Sequence, residues 1–184
     1  FSDVHPSSFA AKSGFFTDWA GFDFPVKGKA AFELGSDGSV TTAELELSAG
    51  EGSIKLGLLG DEALAVGYGA FSAKYYGTDH LFDIHRLHYA AGENRATFKG
   101  TTHAVFDTSK RLRLTSARFD LKGQDISVFF PNEMTGPAAI DTLDVVGFAD
   151  VQNGWLSIES AAVNAGQTSV ELEGDIVASD TSPM

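Results

Sequence analysis

Apolar and polar residues alternate along most of this chain, as in the segment ELELSAGEGSIKL at residues 44–56. Alternation with a period of two is typical of a β-strand with one buried face, because successive side chains point to opposite sides. In this segment the alternation stops at Gly50, Glu51 and Gly52 and then resumes. The interruption fits either a hairpin turn or a glycine-rich phosphate-binding loop.

The same order of apolar residues and glycine occurs in four segments of the chain. Each segment contains two alternating apolar pairs, then a glycine, then a third alternating pair. The four segments are Val40–Leu56, Phe82–Phe98, Leu112–Val128 and Leu156–Leu172. We predict that each is a β-hairpin, because glycine adopts the positive φ of tight turns at little cost. The predicted turn glycines are Gly50, Gly92, Gly123 and Gly166.

Within each segment the alternation changes phase by one residue between the first and the second apolar pair, for example between Ile84 and Leu87. Such a slip would send all later side chains to the opposite face of the sheet. A β-bulge, which adds one residue to one strand, restores the register. We therefore predict a bulge at this place in each of the four segments.

The remaining segments complete the predicted organisation. Further strands are predicted at 26–34, 63–76, 101–107 and 144–152. Residues 6–20 lack alternation and are predicted to form a short helix that starts at Pro6-Ser7, whereas 129–139 are predicted to form a loop. We expect a single, mainly β domain over residues 1–184, with repeated hairpins at 26–128 and 138–177. Because the sequence starts at Phe1, we expect a processed chain or a piece of a longer one.

Composition excludes several function classes. Hydrophobic residues make up 43% of the 184 residues, which argues against disorder. The net charge of −12, from 25 acidic and 13 scattered basic residues, argues against nucleic acid or an anionic membrane as a partner. The absence of cysteine excludes disulfides and thiolate metal sites. No apolar run reaches the ~18 residues that a membrane-spanning helix needs.

No catalytic or cofactor-binding constellation is evident. A phosphate-binding glycine loop must be followed by a helix, whereas a strand follows Gly52, so the hairpin turn is the better interpretation. The histidines His80, His85, His88 and His103 are close in sequence, but they lack a third ligand at a recognisable zinc spacing. No G-x-S-x-G nucleophile motif is present. We therefore predict no metal, no cofactor and no enzymatic activity.

The most informative feature is the repeated apolar face. We predict that one continuous face is formed by residues in equivalent places of the four segments. These residues are Leu45, Leu47, Ile54, Leu56, Leu87, Tyr89, Phe98, Phe119, Ile126, Val128, Val163, Val170 and Leu172. Periodicity leaves two interpretations open, the closed core of a β-sandwich and an open apolar groove.

Several short motifs resemble the periplasmic part of the AsmA-like superfamily, especially its YhdP-like members. The motifs are Pro6-Ser7, the segment DFPVKG at 23–28, the turn Asp37-Gly38, the segment AGEG at 49–52 and the strand pair LFDIHRLHYAAGENRATFKG at 81–100. The resemblance covers most of the chain.

This resemblance implies a long, curled β-sheet that forms an apolar half-pipe, the β-taco. It also implies a periplasmic conduit that carries phospholipid acyl chains between the inner and outer membranes. The expected partners are phospholipid or another acyl-chain lipid and neighbouring β-repeats of the same or a longer chain. An inner-membrane anchor would lie outside these residues, and the aromatic segment 6–20 would lie across the groove. The alternative is a closed β-sandwich that serves as a binding or adhesion module.

Overall fold

The computed structural model of this chain describes residues 1–10, 20–55, 63–107, 113–129 and 134–177. This part is mainly β and contains one helix, α1 (Pro6–Ala10). The strands are β1 (Phe22–Asp23), β2 (Val26–Leu34), β3 (Val40–Ala49), β4 (Gly52–Ile54), β5 (Leu64–Val66), β6 (Tyr68–Tyr76), β7 (Leu81–Ala91), β8 (Asn94–Asp107), β9 (Arg113–Val128), β10 (Ala138–Asp150), β11 (Trp155–Ala165) and β12 (Thr168–Val177).

Nine strands form one open antiparallel sheet in the order β2-β3-β6-β7-β8-β9-β10-β11-β12. From β6 onward each strand pairs with the next strand in sequence, as expected for successive hairpins. Among the described strands, β2 and β12 are the two edges of the sheet, so these strands do not close into a barrel. The predicted fold class, repeated antiparallel hairpins in a curved sheet, is confirmed.

A second sheet, β1-β4-β5, continues three strands of the large sheet beyond a common bend. β1 leads into β2 through Pro25, β3 leads into β4 through Gly50, and β5 leads into β6 through Gly67. The bend is held by backbone hydrogen bonds from Gly50 N to Pro25 O at 2.9 Å and from Gly67 N to Ala90 O at 2.8 Å. With strands of two or three residues, this sheet is too small to be half of a sandwich. The sandwich alternative therefore does not describe the fold.

Two of the four predicted turn glycines are confirmed. Gly92 and Gly166 open the short turns β7–β8 and β11–β12, each with a φ of 59°. The prediction for Gly50 is wrong, because this residue links strands of different sheets that do not pair with each other. The prediction for Gly123 is also wrong, because it lies inside β9, paired with Phe98 and Leu143.

Three of the four predicted bulges are confirmed. The register shifts between Ile84 and Leu87, between Ile158 and Ala161, and at Thr115, which is the extra residue between Leu114 and Ser116. In the first segment the prediction is wrong. There β3 pairs with β6 in unbroken register from Thr42 to Ala49. The irregularity lies instead in the pairing of β3 with β2, where Thr41 is the extra residue between the partners of Glu33 and Leu34.

The other predicted elements are confirmed in part. The strand predicted at 26–34 coincides with β2, whereas the segment 63–76 forms two strands because the chain bends at Gly67. The segments 101–107 and 144–152 lie mainly in the longer strands β8 and β10, and β10 begins inside the predicted loop 129–139. Of the helix predicted at 6–20, α1 forms the start, and 11–19 lie outside the described residues. No helix in the described part is long enough to span a membrane.

The positive φ of Gly92 generates a first prediction. Gly92→Ala should lower the free energy of unfolding by about 1 kcal/mol, because an L-residue is disfavoured in this conformation. A Cβ at Gly92 would meet no atom within 4 Å, so backbone conformation alone sets the cost. Gly136→Ala is the matched control, since its Cβ also meets nothing within 4 Å and its φ is not positive. Equal urea-denaturation midpoints for the two variants would contradict this account of the turn.

Candidate functional site

Strand pairing aligns apolar side chains into rows that cross the nine-stranded sheet. Cross-strand partners lie on the same face of a sheet, so each row can be followed from one strand to the next. One row contains Gly28, Leu47, Phe71, Leu87, Phe98, Gly123, Leu143, Val163 and Val170. The adjacent row contains Ala30, Leu45, Ala73, Ile84, Gly100, Leu121, Val145, Ala161 and Leu172. We call this side of the sheet the inner face and the opposite side the outer face.

Most residues of the predicted apolar face lie on this inner face. The register places there Leu45, Leu47, Leu87, Tyr89, Phe98, Phe119, Ile126, Val128, Val163, Val170 and Leu172. Ile54 lies instead in the small sheet, opposite Phe22 in β1. Leu56 lies outside the described residues.

Sequence reasoning missed other inner-face residues, namely Phe71, Leu121, Leu143 and Val145. Leu121 could have been found by continuing the alternation from Phe119 to Gly123. Phe71, Leu143 and Val145 lie outside the four repeated segments, and their face depends on which strands pair. That pairing is not encoded in the period of any single strand.

Aromatic rings lie against glycines on the inner face. A Cβ at Gly123 would be 2.8 Å from Phe98 Cε1, and a Cβ at Gly147 would be 2.6 Å from Phe119 Cζ. The rings of Phe98 and Phe119 therefore fill the space that a side chain would occupy on the neighbouring strand. Larger residues at Gly123 or Gly147 would have to displace these rings.

Burial on the inner face decreases toward both edges of the sheet. The well-buried residues of this face are mostly small, for example Ala43, Ala73 and Ala161. Leu172 and Ile176 on β12 are 55% and 60% exposed, and Phe32 on β2 is 60% exposed. Extended apolar patches on a protein surface mark binding sites for proteins, membranes or ligands.

A cavity of about 960 Å³ lies against the inner face. Its walls are apolar and consist of Phe1, Val4, Pro6, Phe22, Phe24, Val26, Leu47, Phe71 and Leu114. Leu47 and Phe71 lie near one end of their strands, whereas Leu114 begins β9 at the opposite end of the sheet. The residues around the cavity therefore come from both ends of the strands. The volume is at the upper end of the ~300–1,000 Å³ usual for ligand pockets.

The small sheet and the N-terminal residues form the cover of this cavity. Val4 and Val26 exchange two backbone hydrogen bonds, of 2.9 and 2.8 Å, so the first residues attach to the edge of β2. The ring of Phe24 is buried and meets the ring of Phe22 edge-on, with centroids 6.1 Å apart. Tyr89 donates a hydrogen bond of 2.7 Å from its hydroxyl to Ala65 O, which ties the small sheet to β7.

The outer face carries the charged side chains and ion pairs between neighbouring strands, together with some apolar residues such as Val105 and Trp155. Arg118 donates to Glu159 at 2.6 Å, and the ammonium of Lys74 lies 3.6 Å from a carboxylate oxygen of Glu44. These pairs are exposed, so each contributes little to stability. Most charged side chains of the described strands thus lie on the outer face, and the two apolar rows lie on the inner face.

The four histidines considered as metal ligands each contact a different residue and do not meet at a common site. The contacts are His80 Nδ1 to the Tyr75 hydroxyl at 3.0 Å, His85 Nε2 to Asp83 at 3.7 Å, His88 Nδ1 to the Thr97 hydroxyl at 2.8 Å, and His103 Nδ1 to Asp79 O at 3.2 Å. Within the described ranges, no three His, Asp or Glu side chains are grouped to hold a metal ion. The absence of metal and of catalysis stays a prediction.

Comparison with known proteins gave no match, whether to protein-family models, to curated proteins or to solved structures. The resemblance to the AsmA-like superfamily therefore stays a prediction that rests on the short motifs alone.

His88 generates a pH-dependence prediction. Partial burial, and then the neighbouring Arg86, lower the pKa of His88, while Asp125 acts in the opposite direction. Below the ordinary histidine pKa of about 6.5, the unfolded chain takes up a proton that the folded chain resists. Stability should therefore fall as the pH is lowered from 7.5 to 5.5, and part of this fall should be absent in His88→Gln.

Urea denaturation at both pH values measures this effect. His85→Gln is the control, because His85 lies on the outer face with an exposed side chain. If His88→Gln loses as much stability on acidification as the parent protein, the pKa of His88 does not differ between the folded and unfolded states.

Proposed function

We propose that this chain binds the acyl chains of lipids along its inner face and serves as a segment of a periplasmic phospholipid conduit. The observation that supports it best is the pair of apolar rows that cross all nine strands of an open sheet. A closed core would hide such rows, whereas Val170, Leu172 and Ile176 are 43%, 55% and 60% exposed. This exposure also disfavours the alternative of a closed binding or adhesion module.

The chemistry of the face suits hydrocarbon tails rather than head groups. The cavity walls are apolar, so they offer a lipid tail contact but no hydrogen bond. Removing a methylene from water is worth about 0.8 kcal/mol, and the contact has no preferred direction. A tail can therefore slide along the rows at little cost while its head group stays in water.

The conduit and its location come from the resemblance to the AsmA-like superfamily. The apolar rows continue to the β12 edge. This continuity supports a conduit, because neighbouring repeats could extend the same face. Among the described residues, the two apolar rows contain no acidic, basic or histidine side chain, and for this reason we propose a carrier rather than an enzyme. Phospholipid transfer between the inner and outer membranes is the role that combines these features.

Mass spectrometry of an organic extract tests whether the purified protein carries lipid. We expect acyl-chain lipids in the extract of the folded protein and none in an extract of the same protein purified from urea and refolded. Refolded protein should then take up phospholipid from vesicles. Folded protein that neither contains lipid on isolation nor takes it up after refolding would contradict the proposal.

A charge on the inner face should reduce lipid binding more than stability. We expect Leu87→Asp and Val170→Asp to bind much less lipid, yet to lose only about 1 kcal/mol of unfolding free energy, because both sites are 37% or more exposed. Ser169→Asp is the matched control, since it adds the same charge to β12 on the outer face. Unfolding of both inner-face variants, with no lipid on the parent protein, would identify the face as a sealed core.

A further inference from the structure

The small sheet β1-β4-β5 has one apolar side, which lies toward the cavity, and one exposed side. Phe22 and Phe24 line the cavity, and Ile54, the partner of Phe22 on β4, lies on the same side as Phe22. Asp23 and Ala65 pair with one and the same residue of β4, lie on the other side and are exposed. The small sheet therefore separates the cavity from solvent, with its apolar side chains turned inward.

The connections between the small sheet and the large sheet lie side by side along one line. They are at Pro25, Gly50 and Gly67, in neighbouring stretches of the chain. Strand pairing stops on both sides of this line, since β3 pairs within the large sheet up to Ala49 and β4 pairs within the small sheet from Gly52. Proline has no N–H to add to a ladder, and glycine has no side chain to pack across the line. A few small residues at the ends of strands are typical of a hinge.

A single side chain of the large sheet binds the edge of the small sheet away from this line. The hydroxyl of Tyr89, on the inner face of β7, donates a hydrogen bond of 2.7 Å to the backbone oxygen of Ala65 in β5. A second contact joins His5 Nδ1 to Asp23 Oδ1 at 3.4 Å, but both side chains are largely exposed, so it contributes little to stability. The hydrogen bond from Tyr89 is therefore the contact best placed to keep the small sheet closed over the cavity.

We propose that the small sheet is a lid that opens about Pro25, Gly50 and Gly67 and admits an acyl chain to the cavity, with the Tyr89 hydroxyl as its latch. Opening breaks the bond of the latch but leaves the strand pairs of both sheets intact. An acyl chain under the lid contacts Phe22 and Phe24, so it stabilises the closed position. The lid itself does not depend on lipid binding, whereas its role in admitting an acyl chain rests on the proposed function.

The reactivity of a buried thiol measures how often the lid opens. The chain has no cysteine, so Val66→Cys places a single thiol in β5, where Val66 is 5% exposed. When closing is fast, its rate of reaction with an aromatic disulfide reagent is proportional to the equilibrium constant for opening. We expect Tyr89→Phe to raise this rate about fivefold, because it removes a hydrogen bond that only the closed lid makes.

Two controls distinguish lid opening from a general loss of stability. Tyr75→Phe also removes a hydroxyl from an inner-face tyrosine, but this hydroxyl contacts His80 rather than the small sheet, so the Val66→Cys rate should stay that of the parent. Ala161→Cys places the thiol instead at an 8% exposed position of β11, where Tyr89→Phe should have no effect. Equal Val66→Cys rates in the two tyrosine variants, or an equal rise at both thiols, would overturn the proposal.

Stopped-flow uptake of a fluorescent fatty acid tests whether the lid admits the acyl chain. We expect uptake to be about fivefold faster in Tyr89→Phe than in the parent and unchanged in Tyr75→Phe, because entry should follow the open fraction of the lid. Uptake at the parent rate in Tyr89→Phe would show that acyl chains enter elsewhere and would overturn the assigned role. A faster Val66→Cys reaction without any fatty acid binding would contradict the proposed function and leave the lid itself supported.

Discussion

The fixed register of hydrogen bonds between neighbouring strands is the constraint on which the rest of the structure depends. Because side chains alternate along every strand, a shift of one residue would exchange the inner and outer faces. The bulges prevent this exchange. At His85-Arg86 and at Glu159-Ser160, two residues oppose one residue of the next strand, so apolar positions before and after the bulge stay on the inner face. A single apolar surface across nine strands follows from these local irregularities.

The bend beside this surface lies at one proline and two glycines. Pro25, Gly50 and Gly67 set the bend that separates the small sheet from β2, β3 and β6, and the cavity lies beside this bend. Elsewhere glycines on the inner face lie under the rings of Phe98 and Phe119. Glycine thus allows the chain to bend at one place and leaves space for an aromatic ring at another. One end of the inner face is covered, whereas the β12 end is open.

The two functions of glycine also explain how far the sequence alone could predict the fold. Gly92 and Gly166 are turn residues with positive φ, and the repeated spacing located them, together with three of the four bulges. Gly123 has the same spacing but serves packing, a role that depends on Phe98 in the neighbouring strand. The small sheet could not be predicted, because its strands are too short to show a period. The inner face was predictable within the repeats, but the cavity was not, since it requires the pairing of distant segments.

Nuclear magnetic resonance with a spin-labelled fatty acid tests the central claim, that one face of the sheet binds acyl chains. A nitroxide on the acyl chain broadens the methyl signals of nearby residues. The account predicts stronger broadening of inner-face methyls such as those of Val145, Val163 and Leu172 than of those of the outer-face residues Val146 and Val177. Equal broadening on both faces, or no broadening at saturating fatty acid, would contradict it.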